Sequence, residues 1–212
     1  MSTYKKMDDE YLIKTYVPDV FQKSIFNIDY DKLKEAGVKL ISFDIDDTIV
    51  PIEKGRPSKA AVTLFEKLKL MGFELYLVSN ANYDRVKLFS RQLGVKGVPR
   101  AEKPYTKSLK IIQKLHFERH GTHIKPEEMA HIGNSMIKDV ATGNTFGVTT
   151  CLVRDAGKLP HIGRVLNPIK TSGQKVRDVL LERGIWRKHH LNAPDDQYYQ
   201  LNEQQIQFEK QS

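Results

Sequence analysis

A single cysteine, Cys151, in 212 residues leaves no way to form an internal disulfide, and it excludes any zinc site built from several cysteines. No apolar run approaches the ~20 residues that a membrane-spanning helix needs. Internal repeats and low-complexity blocks are missing too, which excludes solenoids and fibrous arrays. The opening stretch MSTYKKMDDEYLIKTY scatters charge and has no apolar centre, so no secretory leader is expected. Acidic charge is in short supply: 26 acidic residues face 34 basic ones, for a net charge of +8 and a pI near 9.4. Such an excess favours anionic partners (phosphorylated substrates, nucleic acid or an acidic membrane surface) without choosing among them. With 40% hydrophobic and 28% charged residues, the chain is expected to be one soluble domain of a reducing, cytoplasmic compartment.

What is present alternates. VKLISFDI (38–45) is a β-branched apolar run typical of a strand buried on both faces. Ser58 can N-cap a helix running to Met71, with Ala61, Leu64, Phe65 and Leu68 on one side and Gly72 as its stop. FELYLVSN (73–80) predicts the next strand, and Tyr83–Leu93 a helix carrying Val86, Phe89 and Leu93 ahead of Gly94. A short strand near Val98, a helix Thr106–Phe117, a strand 129–133, a short helix near 137–144 and a strand 148–153 follow. Strand–helix alternation predicts an α/β fold with a Rossmann-like parallel sheet and helices on both faces. Right-handed crossovers then bring the carboxyl ends of the strands to one edge, where such sheets bind ligands. The polar groups Asp44/Asp46, Ser79/Asn80 and Asn134/Asp139 all fall at those ends.

FDIDDTIV (43–50) sets three carboxylates directly after a buried strand, denser than a turn alone requires. Together with Ser79, Lys103 before Pro104, and Gly133-Asn134 followed by Asp139, it resembles the four ordered motifs of the haloacid dehalogenase (HAD) superfamily of phosphohydrolases. The flanks are similar to its YqeG-like branch in subfamily IIIA, which also includes phosphatidylglycerophosphate phosphatases. The resemblance covers roughly residues 12–185, with 191–212 expected to be a polar, flexible tail.

The resemblance implies Asp44 as the nucleophile that takes the phosphoryl group, and Asp46 as the acid and base that serves the leaving oxygen and the water. It implies Ser79 and Lys103 as holders of phosphoryl oxygen and charge. Mg²⁺ would be bound by Asp44, the Asp46 carbonyl and Asp139, with Asn134 as a neutral ligand where the family has an aspartate. That Asn134 removes one negative charge beside the metal and predicts weaker metal binding. A non-catalytic phosphate-, membrane- or nucleic-acid-binding protein on the same scaffold is the rival expectation.

Spacing speaks about a lid. The intervals from Asp44 to Ser79 and from Ser79 to Lys103 are filled by core elements, leaving no room for an inserted cap domain. The site is expected to be open, with the loop Pro51–Pro57 as its local flap, suiting a large or lipid-linked phosphate; an oligomer partner is the other way to close it. Between Arg154 and His190, nine Lys/Arg face three acids, a surplus suited to peripheral contact with an anionic membrane or to a solvated face. Val176, Val179, Leu180 and Ile185 are expected to pack a helix there, leaving Lys175, Arg177, Arg183, Arg187 and Lys188 partly free. No motif for reading nucleic acid accompanies the charge. His120 and His123 make an H-x-x-H in what reads as a polar loop, with no carboxylate or cysteine at metal spacing, and metal binding is not expected there.

Overall fold

Period-two alternation in the strands decides what each face of the sheet buries. In β2 (Leu40–Phe43), Ile41 and Phe43 enter one core cluster while Leu40 enters another. The next strand, β3 (Glu74–Val78), repeats the division with Leu75 and Leu77 against Tyr76 and Val78. All seven of these strand residues are buried, and burying a side chain of that size contributes about 1.5–3 kcal/mol.

The computed structural model describes residues 3–154, 156, 168–186 and 199–200. Ahead of β2 come α1 (Asp9–Tyr16), β1 (Val20–Gln22) and α2 (Tyr30–Glu35). After it come α3 (Lys59–Leu70), β3, α4 (Tyr83–Leu93), β4 (Lys96–Val98), α5 (Lys107–His120) and β5 (Met129–Gly133). The chain continues with α6 (Ala141–Phe146), β6 (Thr149–Val153), α7 (Pro168–Glu182) and β7 (Tyr199–Gln200). The strands pair in the order β4-β3-β2-β5-β6-β1-β7. The first six are parallel, and β7 joins β1 antiparallel. This is the expected α/β, Rossmann-like sheet: α2, α3 and α4 pack on one face through Leu33, Phe65 and Phe89. On the other, α5 packs through Leu109 and Ile112, and α1 and α7 through Leu12 and Val176.

Local chemistry accounts for the helix ends. Ser58 Oγ accepts from the Ala61 N–H at 3.1 Å and Asn82 Oδ1 from the Arg85 N–H at 3.0 Å, each satisfying a donor that the first helical turn leaves open. Gly94, at φ +63°, ends α4 in the left-handed region that glycine enters at no steric cost.

Four features differ from expectation. The extended strand β1 was not foreseen, because three residues are too few to show a period. Helix α5 runs on to His120, so that histidine is helical rather than part of a loop. Trp186 is fully buried, its ring edge-on to Phe21 at 5.8 Å, so Ile185 and Trp186 pack inward within the basic segment. Arg183, expected to be partly free, donates to the Met7 and Lys5 carbonyls and to Asp9. Val176, Val179, Leu180 and Ile185 are buried, as the spacing predicts. The charges at Lys158, Arg164, Arg187 and Lys188 lie outside the described residues, as does the tail 191–212 apart from Tyr199–Gln200. No helix among the described residues is long and apolar enough to cross a membrane.

Candidate active site

At the carboxyl edge of the sheet, β2 delivers Asp44 directly after Phe43, where the Asp44 N–H still donates to the Ile132 carbonyl at 2.9 Å. The chain then turns: the Ile49 N–H returns to the Ile45 carbonyl at 3.0 Å, and Asp47 takes φ +59°. A carboxamide or carboxylate side chain tolerates that left-handed conformation better than most. Asp47 also accepts from the Ile52 N–H at 3.1 Å, so it shapes the turn.

Lys103 is the centre of the site. Its Nζ donates to Asp44 Oδ1 at 2.7 Å, to Asp139 Oδ1 at 2.5 Å and to the Val78 carbonyl at 3.0 Å. The ammonium is 2% exposed, so solvent screens these contacts little. Asn80 fixes the backbone of Lys103 from both sides, accepting its N–H at 2.9 Å and donating to its carbonyl at 3.3 Å. Thr48 faces Asp44 and Asn134 at once, its hydroxyl 3.4 Å from Asp44 Oδ2 and 3.3 Å from Asn134 Oδ1.

Asp139 comes from a single turn of π-helix, Met136–Val140, and folds back over Gly133. A Cβ on Gly133 would stand 2.1 Å from the Asp139 carboxyl carbon, so glycine is required for this approach. Its oxygens are engaged by protein donors: Oδ2 by the Ser135 N–H at 2.9 Å, Oδ1 by Lys103, with His131 Nε2 at 3.4 Å. His131 is itself buried, with Ser42 Oγ 2.8 Å from its Nδ1.

Burial and charge divide the two carboxylates. Burial pushes Asp44 up to about 6, with Lys103 opposing and the negative charge of Asp139 adding to the rise. Burial would also raise Asp139, but Lys103 and His131 outweigh it and hold that carboxyl well below the usual range. Lys103, which burial alone would depress, is held up by Asp139 and Asp44. Burial depresses His131, with Asp139 opposing.

Two expected site residues stand apart from this cluster. Asp46 turns to Arg85, whose Nε donates to its Oδ1 at 2.6 Å. The same guanidinium donates to the Ile52 and Lys54 carbonyls, tying the loop Pro51–Pro57 to Asp46. Ser79, buried, accepts from the Ala81 N–H at 3.1 Å, so its own O–H remains a donor toward the edge of the sheet. Arg85, Ser42 and the positioning part of His131 escaped sequence reasoning; Thr48 was visible only as part of the D-x-D-x-T turn and Asn80 only as a polar strand end. No cap domain rises over the site among the described residues, yet Asp44 is only 7% exposed.

The donors are hard oxygens, one carboxylate and one amide sharing a single hydroxyl, with a second carboxylate behind Lys103. That set fits a hard divalent cation such as Mg²⁺. Protein donors engage both oxygens of Asp139.

No family model matches the chain. It is 37% identical over 143 residues to the probable phosphatase YqeG of Bacillus subtilis (strain 168), spanning 67% of this chain and 79% of that protein. Among solved structures, it is similar to a putative HAD superfamily (subfamily III A) hydrolase from Legionella pneumophila, at 15% identity and a TM-score of 0.41, covering 68% of this chain and 89% of that one. It is also similar to 3-deoxy-D-manno-octulosonate 8-phosphate phosphatase from Moraxella catarrhalis, solved with magnesium, phosphate and sugar, at 12% identity and a TM-score of 0.44 over 73% and 99% of the two chains. With the D-x-D-x-T turn, Lys103 and Asp139 at one edge of a parallel sheet, the identity over most of the Bacillus protein decides the assignment: this chain belongs to the YqeG-like phosphatases.

Proposed function

We propose that the protein hydrolyses phosphomonoesters through a phosphoryl group carried transiently on Asp44. The observation that supports it best is the buried Lys103 ammonium, held 2.7 Å from Asp44 Oδ1 and 2.5 Å from Asp139 Oδ1. A fixed cation at that place would meet the charge that gathers on equatorial phosphoryl oxygens, at no cost of reorganisation during the reaction.

In this reading Asp44 Oδ2 attacks phosphorus, and the P–O bond to the leaving alkoxide breaks. Asp46, released from Arg85 and carrying a proton, protonates that alkoxide. It then takes a proton from the water that cleaves the acyl phosphate, which returns Asp44 and frees inorganic phosphate. Ser79 donates its hydroxyl to a phosphoryl oxygen. Asp44, the Asp46 carbonyl and Asn134 would hold Mg²⁺, with Asp139 contributing charge through Lys103. When bound, the ion neutralises phosphate charge and orients the ester. The absence of a cap domain among the described residues suits a phosphate on a large or lipid-linked carrier, such as phosphatidylglycerophosphate.

Incubation with p-nitrophenyl phosphate and Mg²⁺, beside Asp44→Asn, tests the reading. Wild type should release phosphate, and the variant should lose at least about 10³-fold in rate. Equal rates would overturn it. Asn134 and the engaged oxygens of Asp139 favour the second reading, a phosphate-binding protein without turnover. In that case beryllofluoride fails to complex with Asp44 in the presence of Mg²⁺.

A further inference from the structure

At the opposite end of β3 from Val78, whose carbonyl holds Lys103, Glu74 opens the strand at the amino edge of the sheet. Helix α5 lays two histidines, one turn apart, against it. Residues four apart share one helical face, so both imidazoles reach the same carboxylate. His116 Nδ1 is 2.5 Å from Glu74 Oε2, and His120 Nε2 is 3.3 Å from the same oxygen. The three donor atoms all lie within 4.8 Å of one another.

The carboxylate is oriented for this. Its other oxygen, Oε1, accepts the hydroxyl of buried Tyr76 at 2.7 Å and faces Arg119 at 3.6 Å, so Oε2 is turned to the imidazoles. An outer partner of that kind sets the direction of a ligating carboxylate in metal sites. The H-x-x-H visible in sequence is the wrong pair, since the His123 ring stacks on Phe117 at 4.5 Å.

We propose that Glu74, His116 and His120 form a site for a divalent transition metal of the zinc type, separate from the phosphatase site. Two imidazoles and one carboxylate are a donor set that such ions take, with a fourth position left to water. Glu74 and His120 line a cavity of about 750 Å³, which gives that water room. Tetrahedral coordination with ~2.0 Å bonds needs donors roughly 3.3 Å apart, so the cluster closes by small side-chain rotations. The ion joins the last turn of α5 to the first residue of β3. Lys69, Lys87, Arg91 and Lys96 line the same cavity, and their charge, with that of Arg119, works against a cation; Arg119 is 60% exposed and free to move outward.

The competing account is a plain hydrogen-bonded network, in which both imidazoles donate N–H to Glu74. A metal requires the opposite: His116 Nδ1 and His120 Nε2 must carry lone pairs toward the ion. Titrate the full chain with Zn²⁺ in saturating Mg²⁺, following heat and the ¹⁵N shifts of the histidines, and repeat with Co²⁺ for its visible bands. One equivalent should bind, moving His116 Nδ1 and His120 Nε2 and giving a low-coordinate Co²⁺ spectrum. At about 100 times Kd the melting temperature should rise by roughly 5 °C. His120→Ala, at an exposed helix end, and His116→Gln should each weaken binding at least 10-fold, while His123→Ala leaves it unchanged and all three keep basal phosphatase activity. Absence of binding, or equal binding by His120→Ala and His123→Ala, would overturn the proposal.

Discussion

Strand β3 ends in two polar clusters of opposite construction. At its carboxyl end, Lys103, Asp44 and Asp139 are 2%, 10% and 3% exposed through their side chains, and the Val78 carbonyl completes the lysine's partners. At its amino end, Glu74 is 12% exposed, but His120 and Arg119 are 42% and 60% exposed. The first cluster has been taken out of water, and its two carboxylates are held there by the one ammonium they share. The second keeps water within reach, so its ion pairs contribute little to stability, while its nitrogen and oxygen donors stay available to a ligand.

Removing the buried cation should produce the largest effect. Lys103→Met leaves Asp44 and Asp139 facing each other without compensation and should cost about 3–5 kcal/mol in urea unfolding. A loss below 1 kcal/mol would erase the difference between the two clusters.

Asp44 sharpens the comparison in the other direction. Its folded carboxyl is raised to about 6, against about 3.9 in an unfolded chain, so above pH 6 its ionisation costs the folded state free energy. Asp44→Asn should therefore be about 1–3 kcal/mol more stable than wild type at pH 7 in metal-free buffer, while losing activity. As pH falls through 6 the folded wild type takes up its proton first. The advantage should shrink between pH 6 and pH 4 and vanish only below about pH 3, where Asp44 is neutral in both states. An advantage that grows toward acid would contradict the assignment.

The smallest effect belongs to the exposed cluster. Arg119→Ala should change stability by less than about 1 kcal/mol, and that change should fade in high salt. Thermal unfolding at two ionic strengths reads it directly.

Much of the frame could be read along the chain. β2 declares itself by VKLISFDI, α3 by Ser58 and its apolar stripe, and α4 by Val86, Phe89, Leu93 and Gly94. β1 could not be read, because Val20–Gln22 is held as a strand by pairing with Cys151, Leu152 and Val153 far along the chain. Trp186 looked like part of a charged surface for the same reason: Phe21, which covers it, is remote in sequence.

The sequence by itself determined which segments are strands and helices, and that Asp44, Ser79, Lys103 and Asp139 follow strands. Side-chain period, capping and turn chemistry act over a few residues and are written in adjacent letters. Only the tertiary structure decided which charges meet: Lys103 with both Asp44 and Asp139, Arg85 with Asp46, His131 behind Asp139, and Glu74 with His116 and His120. Coulomb and hydrogen-bond energies depend on separation in space and on access of water, and the fold sets both across gaps of up to 59 residues between Asp44 and Lys103.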